Sequence, residues 1–145
     1  MDLANLRVQR AGELPVDAVV ALYRDGGWWH EGDDPAAIPA LLRGSFCVCA
    51  AFIGEQLVGM GRAISDGASD AYIQDVVVRS GWRGQGIGAR IVAFLRDWCA
   101  DHGVLWIGLI AQPGTRAFYR RLGFREMEDH VPMRFLPRGG GGTSG

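Results

Sequence analysis

Residues 71–102, AYIQDVVVRSGWRGQGIGARIVAFLRDWCADH, decide the fold. Residues 72–78 contain three consecutive valines, a run suited to a buried pleated surface. A glycine-rich loop follows over 79–85, and a long amphipathic helix starts near Gly86. That helix places Ile87, Ile91, Val92, Leu95 and Trp98 at spacings of three and four, which is one helical stripe. His102-Gly103 then supplies a stop signal.

Within the loop, Arg83-Gly84-Gln85-Gly86-Ile87-Gly88 carries the chemistry. Glycines remove side chains where a backbone must approach a ligand closely. The first helical turn has amide hydrogens without intrahelical partners, and the helix dipole adds partial positive charge there. Together these features make a site for a phosphate or pyrophosphate. Arg83 and Arg90 can add charge-assisted contacts. The P-loop pattern fails, because Gly88 is followed by Ala89-Arg90 and not by Lys-Ser/Thr. The dinucleotide pattern comes close at Gly84, Gly86 and Ala89, but the strand expected over 104–110 has no acid to close it.

The loop resembles the acetyl-CoA loop of the GNAT N-acyltransferase superfamily, whose signature Arg/Gln-x-x-Gly-x-Gly/Ala is matched by Arg83, Gly86 and Gly88. A second block, Ala117-Phe118-Tyr119-Arg120-Arg121-Leu122-Gly123-Phe124, is similar to that family's A-x-F-Y-x-x-x-G-F region. The likeness covers roughly residues 45–136. It implies an α+β fold in three layers: a mixed, mostly antiparallel sheet with a central splayed parallel strand pair, flanked by helices. It also implies acyl transfer from acetyl-CoA, as co-substrate, to an amine. In the family the gap between the splayed strands admits the pantetheine arm.

Length and composition agree with this. The 145 residues suffice for one domain, taken here as 1–137, and 138–145 reads as a glycine-rich tail. The net charge of −1 argues against a general nucleic-acid binder, and no apolar run has membrane-spanning length. With no signal-peptide pattern, the three cysteines (Cys47, Cys49 and Cys99) read as reduced core residues of a cytoplasmic protein. Cys47-x-Cys49 lacks zinc-site spacing, and no metal is expected.

Along the chain, strands are expected over 6–10, 45–53, 56–64, 72–78 and 104–110. Helices are expected over 15–24, 35–42 (with Asp34 as N-cap), 86–102 and 116–122. Residues 124–127 and 131–135 read as a closing hairpin. The strands flanking the central helix should be parallel neighbours joined by a right-handed crossover.

The resemblance assigns roles residue by residue. Tyr119 falls where the family has its general-acid tyrosine, and a phenol can protonate a departing thiolate without a large pKa shift. Val76, Val77 and Val78 should hold the acyl-pantetheine region through their backbone groups, one amide serving as oxyanion donor. Arg83, Gly84, Gln85, Gly86, Ile87, Gly88 and Ala89 should hold the pyrophosphate, with Phe118 beside the cofactor. The family's strand glutamate, a proton acceptor, is matched by Tyr72, with Gln74 on the same face, and neither is a base. Strand alternation puts Asp75 on the opposite face from Gln74 and Val76. The acceptor of the amine proton is therefore open among relayed water, Asp70, Glu31 and His30. Gly114 stands where the family often has an asparagine bonding the cofactor arm.

In this fold residues 26–34 border the acceptor. Trp28 and Trp29 with Glu31, Asp33 and Asp34 form either an aromatic, acidic wall for a cationic amine or a core cap whose acids cap a helix; His30, Tyr72 and Gln74 are taken as further substrate-side residues. The expected function is N-acetylation of a small-molecule amine. Alternatives are a catalytically silent acyl-CoA-binding module, a protein acetyltransferase, and transfer of a longer acyl chain. A homodimer is common in this fold, though no residue here demands one.

Overall fold

The computed structural model describes residues 2–138. The tail expected from residue 138 onward lies, beyond that residue, outside the described residues. The chain forms two compact units, Met1–Leu109 and Ile110–Gly145.

In the first unit the elements run β1 (Leu6–Arg10), α1 (Val16–Asp25), α2 (Ala37–Arg43), β2 (Cys47–Ile53), β3 (Gln56–Ser65), β4 (Asp70–Val78), α3 (Ile87–Asp101) and β5 (Trp106–Gly108). The sheet order is β1-β2-β3-β4-β5, with every pair antiparallel except β4–β5. α2 starts at Ala37, two residues later than expected, so Asp34 is not its N-cap. The Asp34 side chain accepts from the Ala36 amide at 2.9 Å, and Ala36 is the N-cap of α2.

Alternation along β3 separates two layers. Gly59 and Gly61 face α3, where an added Cβ would meet Ile91 and either Ile87 or Leu95 at 2.9–3.5 Å. Met60 on the other face joins a core with Val19, Leu22, Ile38, Leu42 and Val77, beneath α1 and α2. The α3 stripe, Ile87, Ile91, Val92, Leu95 and Cys99, is buried. Each such aliphatic side chain contributes about 1.5–3 kcal/mol through burial. Trp98, placed on that stripe by spacing, lies at its margin and stacks on His102 at 4.1 Å. The three cysteines are buried, and burial pushes the Cys47 and Cys49 thiols up to about 12, which leaves them without nucleophilic character.

β4 departs from the expected alternation. Arg62 pairs with Gln74 and Met60 with Val77, so Asp75 and Val76 together oppose the single residue Gly61. This is a β-bulge, and Asp75 takes the left-handed conformation at φ 57°. The extra residue resets the alternation. Val76 faces α3 beside Gly61, while the Asp75 side chain reaches Arg62 and Tyr23 on the face that carries Gln74. The expectation that Asp75 lies opposite Gln74 is thereby corrected.

β5 is shorter than the expected 104–110. It pairs with β4 only at Asp70–Trp106, Ala71–Ile107 and Tyr72–Gly108. Beyond Tyr72, β4 continues to Val78 with no strand on that edge among the described residues.

In the second unit, α4 (Arg116–Arg121) is followed by a turn at Gly123, φ +93°. The closing hairpin does not form, and residues 124–135 contain no strand. A turn is present, with the His130 amide donating to the Met127 carbonyl and Asp129 at φ 60°. The flanking segments lack the burial that would hold strands, because Val131, Met133 and Phe135 are largely exposed and Pro132 has no amide to donate.

Candidate active site

The 79–86 loop opens with one 3-10 turn, Ser80–Trp82. Gly84 (φ +78°) and Gly86 (φ +84°) then adopt left-handed conformations that other residues reach only at a cost. A Cβ on either would meet no atom within 4 Å. Glycine is required there by backbone shape, and the space over the loop is open. Gly86 is the N-cap of α3 and supplies no side-chain hydrogen bond to the first turn. Fifteen residues of aligned peptide dipoles therefore end on uncapped amides at Ile87, Gly88 and Ala89. These features fit a bound diphosphate.

Arg83 does other work than the sequence implied for its side chain. Its Nε donates to the Val78 carbonyl at 3.0 Å and its Nη2 to the Asp25 carbonyl at 2.8 Å. The Asp25 carboxylate in turn accepts from the Ser80 amide at 3.2 Å. The loop is thus braced to the end of α1, which leads directly into residues 26–34.

Val76, Val77 and Val78 sit just before the loop, on the stretch of β4 whose outer edge has no strand partner. Their backbone groups on that edge can pair with an extended amide-bearing ligand. Tyr72 is half-exposed and packs against Trp106, ring centroids 5.4 Å apart. Gln74 is exposed, its Oε1 3.5 Å from Arg62 Nη2.

Along 26–34 the residues divide. Trp28 and Trp29 are partly buried against the core under α1, and the Trp28 ring meets Tyr23 edge-on at 5.7 Å. His30 and Glu31 are exposed. The loop is held by the His30 amide donating to the Asp33 carboxylate at 2.7 Å. The tryptophans therefore cap the core in part, while Asp33 ties the turn.

Sequence reasoning missed Tyr23, Arg62 and Asp25, and it set Asp75 aside. Asp75 Oδ2 accepts from Tyr23 OH at 2.9 Å and from Arg62 Nε at 2.7 Å. Burial, reinforced by the neighbouring Asp75 charge, pushes the Tyr23 phenol far above its ordinary value. One signal was available: an aspartate stands immediately before three valines in a strand otherwise suited to burial.

Phe118 and Tyr119 belong to the second unit. Tyr119 is half-buried between the edges of Phe118 (4.9 Å) and Phe124 (6.0 Å), and burial raises its phenol pKa. Arg120 and Arg116 both pair with Glu126 on the exposed side of α4.

An uncapped helix start between two parallel strands, beside an unpaired strand edge, is an arrangement suited to an elongated ligand bearing a diphosphate. The comparisons name the class of protein that carries it. The sequence model of the acetyltransferase (GNAT) family matches residues 16–124, and the chain belongs to this family. It is 37% identical over 84 residues to an uncharacterized N-acetyltransferase, ycf52, of Porphyra purpurea, covering 57% of this chain and 48% of that protein. It is 40% identical over 81 residues to histone acetyltransferase TAP1 of Glycine max, covering 56% and 35% respectively. The matched stretches thus span half or less of the length of these curated relatives. Among solved structures, the probable acetyltransferase SA2161 of Staphylococcus aureus has the same fold, with a TM-score of 0.79 at 21% identity over 91% of this chain and 98% of that one.

Proposed function

We propose that this chain transfers the acetyl group of acetyl-CoA to the primary amine of a small molecule by direct attack. The observation that carries the reading is the open cradle at Gly84 and Gly86, with uncapped amides behind it and room for a ligand above it. Acetyl-CoA supplies an acyl group activated as a thioester. The residues that would hold it are Arg83 to Ala89 at the diphosphate and Val76 to Val78 along the arm, one of whose amides would stabilise the carbonyl oxygen as negative charge develops. Tyr119 acts as general acid to the departing sulfur, an assignment supported by its place in the Phe118-Tyr119 motif. Its raised pKa keeps the phenol protonated through the neutral range.

A second reading, acetylation of a protein amine, is favoured by the name of the soybean relative. One assay separates the readings. The protein is mixed with acetyl-CoA and either a panel of small primary amines or histone-tail peptides, and released thiol is measured. Release with small amines and none above background with peptides is the expected result. Release with peptides alone would replace the first reading by the second, and none with either would leave a binding module.

A further inference from the structure

No residue of 110–138 is buried. Six large apolar side chains there are exposed: Ile110, Met127, Val131, Met133, Phe135 and Leu136, with Met133 at 90% and Phe135 at 84%. At about 150–200 Å² for a fully exposed side chain of this size, they leave about 800 Å² uncovered, the area each partner of a standard interface buries. A six-residue helix and a turn do not keep their shape in water without cover. Residues 131–135, VPMRF, have the two-residue period of a strand with one face to bury, and Pro132 suits it to a sheet edge. The first unit offers the complement. β5 is three residues long, and its outer edge has no strand partner among the described residues. Around its short ladder with β4, Tyr72, Leu105 and Trp106 are exposed. Charge is divided in the same way. Residues 1–109 hold nine arginines and thirteen acids, a formal −4, and residues 110–138 hold six arginines and three acids, a formal +3.

We propose that residues 110–138 of one copy seat on the β5 edge of a second copy, reciprocally, so that each Tyr119 serves as general acid at the partner's thioester site. The second copy is the occupant because it carries both halves. One is an apolar, basic, strand-patterned segment, the other an acidic body with an unpaired edge, and each is left uncovered in its own chain. A two-fold pair covers both at once and leaves no open end. The segment holds together as it docks. The Phe124 amide donates to the Tyr119 carbonyl at 3.1 Å, their rings meet edge-on, and Arg116 and Arg120 both pair with Glu126. α4 is thereby tied to the stretch that follows it, and the copy that receives 131–136 receives Tyr119 as well. The acid role rests on the acetyltransferase reading above, whereas the seating does not. In the step, R–NH2 attacks the thioester carbon, the C–N bond forms and the C–S bond breaks. The Tyr119 proton passes to the departing sulfur, and the proton released from nitrogen restores the phenol through water.

Mass and complementation test this. Sedimentation at low micromolar concentration should give twice the chain mass. Phe135→Asp should give the chain mass and lose about 100-fold in thiol release, because the acid no longer reaches the partner. Phe135 and Met133 are exposed in the single chain, so a monomer would tolerate either change, and Met133→Asp repeats the measurement. For complementation, Gly86→Asp (defective in the cradle) and Tyr119→Phe (defective in the acid) are unfolded in urea and refolded as an equal mixture. The unaltered protein and each variant alone, carried through the same refolding, set the scale. Half the pairs are then mixed and one site of each mixed pair is whole, so about a quarter of the unaltered thiol release should return. Release is followed with the small primary amines and histone-tail peptides of the assay above. Three results would each overturn the proposal: a chain mass for the unaltered protein, a dimer that both aspartate variants leave intact, or a mixture no more active than its components. The last does so because a site built from one chain keeps its defect in every pairing. None of these touches the acetyltransferase reading, which falls if the unaltered protein releases no thiol with any acceptor. In that event the role of Tyr119 falls with it, and the masses still decide the seating.

Discussion

Two glycines of this chain offer a matched experiment. Gly86 opens α3 at φ +84° and Gly103 follows its end at φ +83°, and a Cβ on either would meet nothing within 4 Å. Alanine at either position therefore pays the same backbone penalty, about 1–2 kcal/mol, with no steric addition. For a chain of this size that lowers the melting temperature by about 2–8 °C. The two variants should melt together and differ only toward the ligand. At Gly86, the N-cap of α3, the methyl group would enter the open space in which the proposed diphosphate lies. Losing one charged hydrogen bond to a diphosphate costs about 1.5–3 kcal/mol, a 10- to 150-fold weaker affinity for acetyl-CoA. Gly86→Asp adds repulsion of about 3 kcal/mol for one phosphate charge about 5 Å away at an effective dielectric constant of about 20, and so should abolish measurable binding. Calorimetric titration with acetyl-CoA and thermal melts of the three variants decide the matter. If Gly86→Ala binds as well as Gly103→Ala, the diphosphate is held elsewhere and the loop assignment is wrong.

Tyr119→Phe should lower kcat by about 100-fold or more while acetyl-CoA affinity changes less than threefold; equal losses in both would refute the acid role. Gly61→Ala drives a methyl group into Ile91, Leu95 and Val76 at 2.9–3.1 Å and should destabilise by about 1–3 kcal/mol in a denaturant melt. Tyr23 has a folded pKa raised above its ordinary 10.0, so the stability it contributes is complete below about pH 10 and declines above it, where the unfolded phenol ionises and the folded one does not. Melts from pH 8 to 11 should show a shallower alkaline decline for Tyr23→Phe than for the unaltered protein.

Periodicity and punctuation made most of the fold legible. The 3-and-4 spacing of Ile87, Ile91, Val92 and Leu95 marks the buried face of α3, and the glycines at 84 and 86 mark the turn into it. These are local properties, since each depends on residues within a few positions of one another. The cradle could be read for the same reason, because a helix start and its glycines are neighbours in the chain. The 124–135 hairpin was misread because its alternation is equally local, whereas a strand exists only if something lies alongside it.

What the chain settles locally is the order of its elements, the α3 stripe and the naked amides at its head. Only the tertiary structure decided which way Asp75 points, that Arg83 braces α1 rather than reaching outward, and where β5 leaves β4. The physical reason is that a bulge is counted between two strands. One residue of β3 opposing two of β4 is a relation of pairing; Asp75 ahead of the valines marks a residue out of keeping with a buried strand, but only the pairing with β3 shows that the count slips there.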